Sequence, residues 1–275
     1  MNILFEALDA VPAKLGCEMM CGDLTLKMAL IVLGMVFLGS FMDSIAGGGG
    51  IITVPAFLLA GLPAHIALGT NKMSAGIGSF ASVVRYIKSG YVRWNLALPA
   101  AVFAIFGSAC GTRLQLMLPE TYIQYMLLII LPLVAFVVLR QRSLPEECGE
   151  MEYKKRLLIS CAAALFIGTY DGFYGPGTGT FLLLIFCKLA KLDVRTANGN
   201  TKVINFSSNI GALFTSLFNG KVFLLLGLIG AAASITGNII GSGLAIKGGS
   251  KIVKPTVVAV LILLAVKIIG EMVGK

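Results

Sequence analysis

With 275 residues, 57% hydrophobic and 13% charged side chains and a mean hydropathy of +0.91, the chain lies far from the soluble norm of roughly 45–50% apolar and about 25% charged. A water-soluble core cannot hide that much apolar surface, and an all-helical membrane protein is the expectation. Alternation of period two is absent, which argues against a lipid-facing barrel, and the net charge of +9 reads as loop orientation and contact with anionic lipid, not nucleic-acid binding.

Taken in order, residues 1–23 form a short amphipathic lead-in, because Glu6, Asp9, Lys14 and Glu18 interrupt any signal-peptide core. A first apolar stretch from Met28 to Ser44 runs into Gly47, Gly48, Gly49 and Gly50, then resumes from Ile51 to Leu62. Segments at Ala67 to Lys88, Trp94 to Leu118 and Thr121 to Leu139 follow, most near the length of about 20 residues that spans a bilayer. After the polar stretch from Gln141 to Arg156 the order repeats. Leu157 to Tyr170 meets Gly172, Gly175, Pro176, Gly177 and Gly179, and Thr180 to Leu189 resumes. The remaining segments are Ala197 to Phe218, Val222 to Ile246 and Lys251 to Ile269.

The repetition is more than composition. Sliding the first half forward by a constant register superimposes Ala67 on Ala197, Gly69 on Gly199, Lys72 on Lys202, Gly90 on Gly220, Gly107 on Gly237 and Gly111 on Gly241. The expected organisation is a lead-in (1–23), a first transmembrane repeat (24–140), a cytoplasmic linker (141–156) and a second repeat (157–275). An odd count of about five segments per repeat inverts the second relative to the first, as in transporters built on inverted repeats.

Loop charges support ten segments. One face collects Lys88, Arg93, Arg140, Arg142, Lys154, Lys155, Arg156, Lys188, Lys191, Arg195, Lys247, Lys251 and Lys254, and the other keeps Lys14, Lys27, Arg113, Lys221 and Lys275. The basic face is expected in the cytoplasm, with the central loop, and both termini outside a cell membrane.

The first pair of segments in each repeat is broken or re-entrant, and interrupted segments at matching places in two repeats point to a transporter binding site. Glycine runs permit φ > 0, and the short helices that follow turn their positive N-terminal ends toward the break. Two such ends meeting near the midplane would surround an anion with backbone donors. Gly107 and Gly237 read instead as close-packing glycines.

Lys72 and Lys202 recur at one repeat position, each inside the first turn or two of a long helix, after Thr70 and Asn71 or Asn200 and Thr201. An ammonium there must snorkel, pair or serve a pathway. Asp43 and Asp171 precede the two breaks and are candidates for pairing those lysines or for carrying a coupling proton. Ser74, Asn205, Ser208 and Asn209 add polarity, and Tyr170, Tyr174 and Thr178 offer hydroxyls at the second break.

Enzymatic chemistry finds no constellation. Tyr170-Asp171 is similar to one motif of intramembrane aspartyl proteases, but its Gly-x-Gly-Asp partner is missing, since Thr180 follows Gly179. His65 is read as a loop residue, and the six cysteines give no metal spacing. Neither a metal nor a cofactor is expected.

The ordered set Asp43, Gly47 to Gly50, Pro55, Gly61-Leu62-Pro63, Ala67 to Lys72 and Gly107 to Gly111, echoed by Gly175 to Gly179 and Thr196 to Lys202, resembles the TauE/SafE (TSUP) transporters over residues 28–272. The resemblance implies a permease for a small sulfur-containing or organic anion such as sulfite, thiosulfate, a sulfonate or sulfoacetate.

The resulting expectation is a site whose backbone donors come from Gly47, Gly48, Gly49, Gly50, Gly175, Gly177 and Gly179. Thr70, Asn71, Asn200 and Thr201 orient the anion, Tyr174 and Thr178 offer hydroxyls, and Lys72 and Lys202 balance its charge. Protons at Asp43 or Asp171 are the candidate coupling ions. The alternatives are a cation or metal permease using Asp43 and Asp171, and a non-transporting membrane assembly factor.

Overall fold

Eight helices account for the secondary structure of the residues that a computed structural model of the chain describes, namely 26–119, 122, 148–249, 251–252 and 255, and no strand occurs among them. They are α1 (Leu26–Ala46), α2 (Gly50–Leu59), α3 (Ala64–Lys88), α4 (Trp94–Met117), α5 (Tyr153–Phe173), α6 (Thr178–Lys188), α7 (Val194–Phe218) and α8 (Leu224–Gly248). The lead-in, residues 141–147 of the central linker and almost all of the fifth segment expected in each repeat lie outside the described residues, and the end of the linker, from Tyr153, is already the first turn of α5.

The helix ends explain part of the repetition. After α3, Gly90 takes φ 74° while Tyr91 N donates to Tyr86 O and Gly90 N to Ile87 O. After α7, Gly220 takes φ 63°, with Lys221 N on Ser216 O and Gly220 N on Leu217 O. Both are left-handed glycine caps that satisfy the last carbonyls of a helix. The recurrence of Gly90 as Gly220 thus has a local backbone cause.

Small residues set the helix pairing. A Cβ on Gly107 would press on Leu165 and Thr169, one on Gly111 on Thr169 and Phe173, and one on Gly172 on Ser108, so α4 lies parallel against α5. In the same way Gly237 meets Phe37 and Phe41 while Gly241 meets Phe41 and Ser44, laying α8 parallel to α1. The packing reading of Gly107 and Gly237 therefore matches the contacts.

At the centre α3 runs antiparallel to α7. Gly69 faces Ser216 and Lys221, Gly76 faces Asn209, and Gly199 faces Tyr86 and Tyr91. Helices α1, α3 and α8 share one direction, and α4, α5 and α7 share the other. These trios meet along α3 and α7.

The distribution of polarity is that of a membrane protein. Helices α1, α4, α5 and α8 are long and apolar enough to cross a membrane, while α2 and α6 are short apolar helices. Large apolar side chains point outward, including Leu30 and Leu38 on α1, Phe103 and Phe106 on α4, Phe166 on α5, and Leu228 and Ile240 on α8. The interior holds the polar groups: Thr70, Asn71, Lys72 and Ser74 on α3, and Asn198, Asn200, Lys202, Asn205, Ser208 and Asn209 on α7, are all buried. Such an inside-out arrangement suits lipid, which cannot solvate these groups.

Two local readings change. His65 belongs to the first turn of α3, not to a loop, and its Nδ1 lies 2.6 Å from Gln115 Nε2 on α4. Helix α3 begins at Ala64 and α7 at Val194, three residues ahead of the expected starts. Lys72 and Lys202 consequently sit more than two turns inside their helices, too deep to be read as helix-end snorkels.

Candidate functional site

Both breaks are left-handed turns that glycine makes accessible. Gly47 and Gly48 have φ of 77° and 85°, and Gly175 and Gly177 have 96° and 90°. The short helices α2 and α6 start immediately after them. The breaks also touch each other. A Cβ on Gly47 would overlap the backbone of Gly179 and Thr180, and one on Gly50 would stand 3.1 Å from Pro176 Cα. Thr180 Oγ1 donates to Ala46 O at 3.1 Å across the crossing.

Beside this crossing lies a polar cavity of about 40 Å³. At about 10–15 Å³ per water on this measure, it has room for roughly three waters or one compact ion. Gly48, Gly49 and Gly50 line it from the first break, and Gly175, Gly177, Thr178 and Gly179 from the second. The N-terminal ends of both α2 and α6 bring positive potential here, although Ile51 N, Ile52 N and Thr178 N already donate to Gly48 O, Gly49 O and Gly175 O.

Four charged groups surround the crossing, and they pair between the halves. Lys72 Nζ on α3 lies 2.8 Å from Asp171 Oδ2 on α5. Lys202 Nζ on α7 lies 3.1 Å from Asp43 Oδ2 on α1 and also donates to the Asp43 carbonyl oxygen. The ion pairs weighed from the sequence are thus formed, with each lysine reaching the aspartate of the other half. Ser208 Oγ donates to Asp171 Oδ2 at 2.5 Å, and Gly49 N to Asp43 Oδ1 at 3.2 Å.

The pairs are not equivalent. Lys72, Asp43 and Asp171 line the cavity, whereas Lys202 is not among its walls. The Lys202 side chain is 0% exposed, and its partner Asp43 is 19% exposed. Lys72 stands beside Gly175, where an added Cβ would come within 3.0 Å of Nζ.

The other expected residues divide similarly. Asn71 lines the cavity, and its buried Oδ1 has no partner among the described residues. Thr70 lies outside the lining, with Oγ1 accepting from Phe223 N at 2.9 Å. Asn200 Nδ2 donates to Thr196 O within α7, and Thr201 is fully buried. Gly47 contributes contact with the second break, and Tyr174 packs with Ile51, Val54 and Leu68.

Asn205 and Asn209 on α7 line the cavity too. Ser40, Thr53, Ser234 and Asn238 also line the cavity and escaped the sequence reading. Their signal was weak: single small polar residues inside apolar runs. Ser40 and Ser234 bond each other at 2.7 Å, and Ser82 donates to Asn238 Oδ1 at 2.7 Å.

Known proteins resemble the chain over most of its length. The family model described as "Sulfite exporter TauE/SafE" matches residues 31–268. A Sinorhizobium protein named "Probable membrane transporter protein ORF9" is 35% identical over 90% of this chain and 95% of its own length. The Haemophilus influenzae "Probable membrane transporter protein" is 30% identical over 90% and 97%. The Escherichia coli K12 "Probable membrane transporter protein YfcA" is 31% identical over 89% and 92%. No solved structure matches.

The pair of the fully buried Lys202 with Asp43 has a clear energetic consequence. Removing one partner of a buried ion pair strands the other charge and costs about 3–5 kcal/mol, whereas apolar or neutral replacement of both is far better tolerated. Lys202→Met is expected to lower the melting temperature in detergent, and Asp43→Asn with Lys202→Met to recover part of the loss. A Lys202→Met protein as stable as wild type contradicts the clamp.

Proposed function

We propose that this chain, which belongs to the sulfite exporter TauE/SafE family and is a membrane transporter, carries a small sulfur-containing or organic anion through the cavity where its two broken helices meet. The observation that carries this reading is the convergence of two helix N-termini and the Lys72 ammonium on one cavity. The helix ends supply positive potential to a space that fits a compact oxyanion, and Lys72 offsets Asp171, which with Asp43 also lines it. The family's printed description as a sulfite exporter favours a sulfur oxyanion, with sulfite, thiosulfate, a sulfonate and sulfoacetate as the candidates to compare. Both carboxylates already face lysines, which leaves a cation-permease reading with little support.

The two halves act as inverted repeats in this reading. The support is that α1 opposes α5, α3 opposes α7 and α4 opposes α8 in direction. Alternating access then exposes the central cavity first to one side and then to the other. The basic end belongs in the cytoplasm, because Arg93, Arg156, Arg195 and Lys247 cluster there through contacts among the α3–α4 loop, residues 148–156, the α6–α7 loop and the end of α8.

The charge count supports proton coupling as part of this proposal. Lys72 and Lys202 formally cancel Asp43 and Asp171, so a monovalent anion entering alone leaves the centre at a net negative charge. A proton taken up by either aspartate restores neutrality in a medium where unbalanced charge is costly.

Four measurements test these statements. Wild-type protein is expected to melt higher with sulfite, thiosulfate or sulfoacetate and not with divalent cations, because a ligand that binds only the folded state stabilises it. Lys72→Met is expected to abolish that shift and anion flux in proteoliposomes, and to melt lower because it strands Asp171, while Lys72→Met with Asp171→Asn recovers stability but not flux. Stabilisation by divalent cations alone, or unchanged flux in Lys72→Met, rejects the anion site.

Asp171→Asn is expected to remove the dependence of flux on a pH gradient and retain anion exchange. Equal loss of both activities assigns Asp171 to structure only. For orientation, a variant with Cys148 as its sole cysteine should react with an impermeant maleimide in inside-out vesicles and not in right-side-out ones. The opposite pattern places the basic end outside.

A further inference from the structure

A second, larger cavity lies at the basic end of the molecule, away from the central site. Its volume is about 300 Å³, and it opens between the α3–α4 loop, the start of α7 and the end of α8. Arg195, Lys247 and Lys251 contribute three positive charges to its walls, against the single carboxylate of Asp193. That carboxylate is occupied. Its Oδ1 caps α7 by accepting from Arg195 N at 3.1 Å and Thr196 N at 3.0 Å, and its Oδ2 accepts from Cys148 Sγ at 3.1 Å.

Arg195 is held in place in the wall of this cavity. Its guanidinium stands over the Tyr91 ring, 5.9 Å from the centroid, and Nη2 donates to Lys247 O at a long 3.4 Å. Tyr91 is itself fixed, because its carbonyl packs on Gly199 so closely that no Cβ would fit. Nε of Arg195 is buried without a partner among the described residues. A buried donor left unpaired is unfavourable, and an oxyanion is the group that relieves it most strongly.

The space along this edge is kept free by Gly249. A Cβ there would stand 3.1 Å from both Nε and Nη2, the two atoms that form one fork of a guanidinium toward an oxyanion. Gly249 has φ 50°, which suits glycine.

We propose that this cavity binds a phosphate-bearing anion, with Arg195 as its fork and Lys247 and Lys251 as flanking charges. Three cations around a cavity several times the size of the central one suit a bulky polyoxygen group better than the small transported ion. The phosphate is presented either by an anionic lipid headgroup or by a soluble phosphate, since a basic pocket among helix ends at a membrane surface recognises both. Its walls come from both halves, Tyr91 from the first and the rest from the second, so an occupant bridges them.

The test uses the full chain in phosphatidylcholine nanodiscs. In one arm inorganic phosphate is titrated, in the other phosphatidylglycerol is incorporated, and thermal stability and native mass spectrometry report binding. Wild type is expected to bind at least one probe. Arg195→Gln should weaken binding at least ten-fold and Lys251→Gln, at the exposed rim, about three-fold or more. Binding only in the lipid arm assigns the occupant to a headgroup, and binding of inorganic phosphate assigns it to a soluble anion. Failure of wild type to bind either probe overturns the proposal, as does unchanged affinity in both variants. Neither result depends on flux through the central cavity, so this site and the transport reading fail separately.

Discussion

A charge in a lipid-embedded interior must be balanced where it stands, and in this protein neither half balances its own. Lys72 finds Asp171 and Lys202 finds Asp43, each across the boundary between the repeats. The consequence is mutual dependence. Were either half to fold alone, it would bury a lysine and an aspartate without their native partners, at a cost of several kcal/mol per ion. The crossing of the two breaks has the same character, since Gly47 and Gly179 are in backbone contact and Thr180 hydrogen-bonds Ala46 O. Charge and backbone geometry therefore demand the same assembly.

Repetition of sequence did not produce identical roles. Asp171 is sealed with Lys72 and Ser208, yet all of this pair touches the cavity; Asp43 reaches the cavity while its lysine is shut behind it. Part of the difference lies at neighbouring repeat positions. Asp171 receives the hydroxyl of Ser208, whose counterpart in the first half is Gly78, and Gly78 packs directly on Ser234. Where one half needed a donor for its partner's carboxylate, the other needed close approach of α8.

Much of this centre was legible beforehand because its residues are expensive. Four glycines in a row, lysines deep in apolar segments and aspartates just before a break each cost stability without a special reason, and Gly47 to Gly50, Lys72, Lys202, Asp43 and Asp171 all meet at the crossing. Inexpensive residues gave no such signal. Ser40, Thr53, Ser234 and Asn238 are tolerated in any helix contact, and only three-dimensional convergence marks them as cavity walls. Thr70 shows the reverse error: its place beside Asn71 and Lys72 suggested a ligand, but helix periodicity turns its hydroxyl toward the start of α8. The early starts of α3 and α7 were missed because the segments were bounded by the repeat identities, while Pro63 and the Asp193 cap mark the actual helix entries.

The packing also bears on which parts can move under the proposed alternating access. Rocking one sequence half against the other would tear α4 from α5 and α8 from α1, the two most extensive helix pairings among the described residues. The natural rigid groups are instead α1 with α3 and α8, and α4 with α5 and α7, each mixing both halves and meeting the other along α3 and α7. Both ion pairs still span that boundary, because Lys72 on α3 faces Asp171 on α5 and Lys202 on α7 faces Asp43 on α1. A relative rotation of the groups must therefore pivot near these pairs or exchange their partners. Lys202 has two acceptors on one residue, whereas Lys72, at the cavity wall, has a single carboxylate.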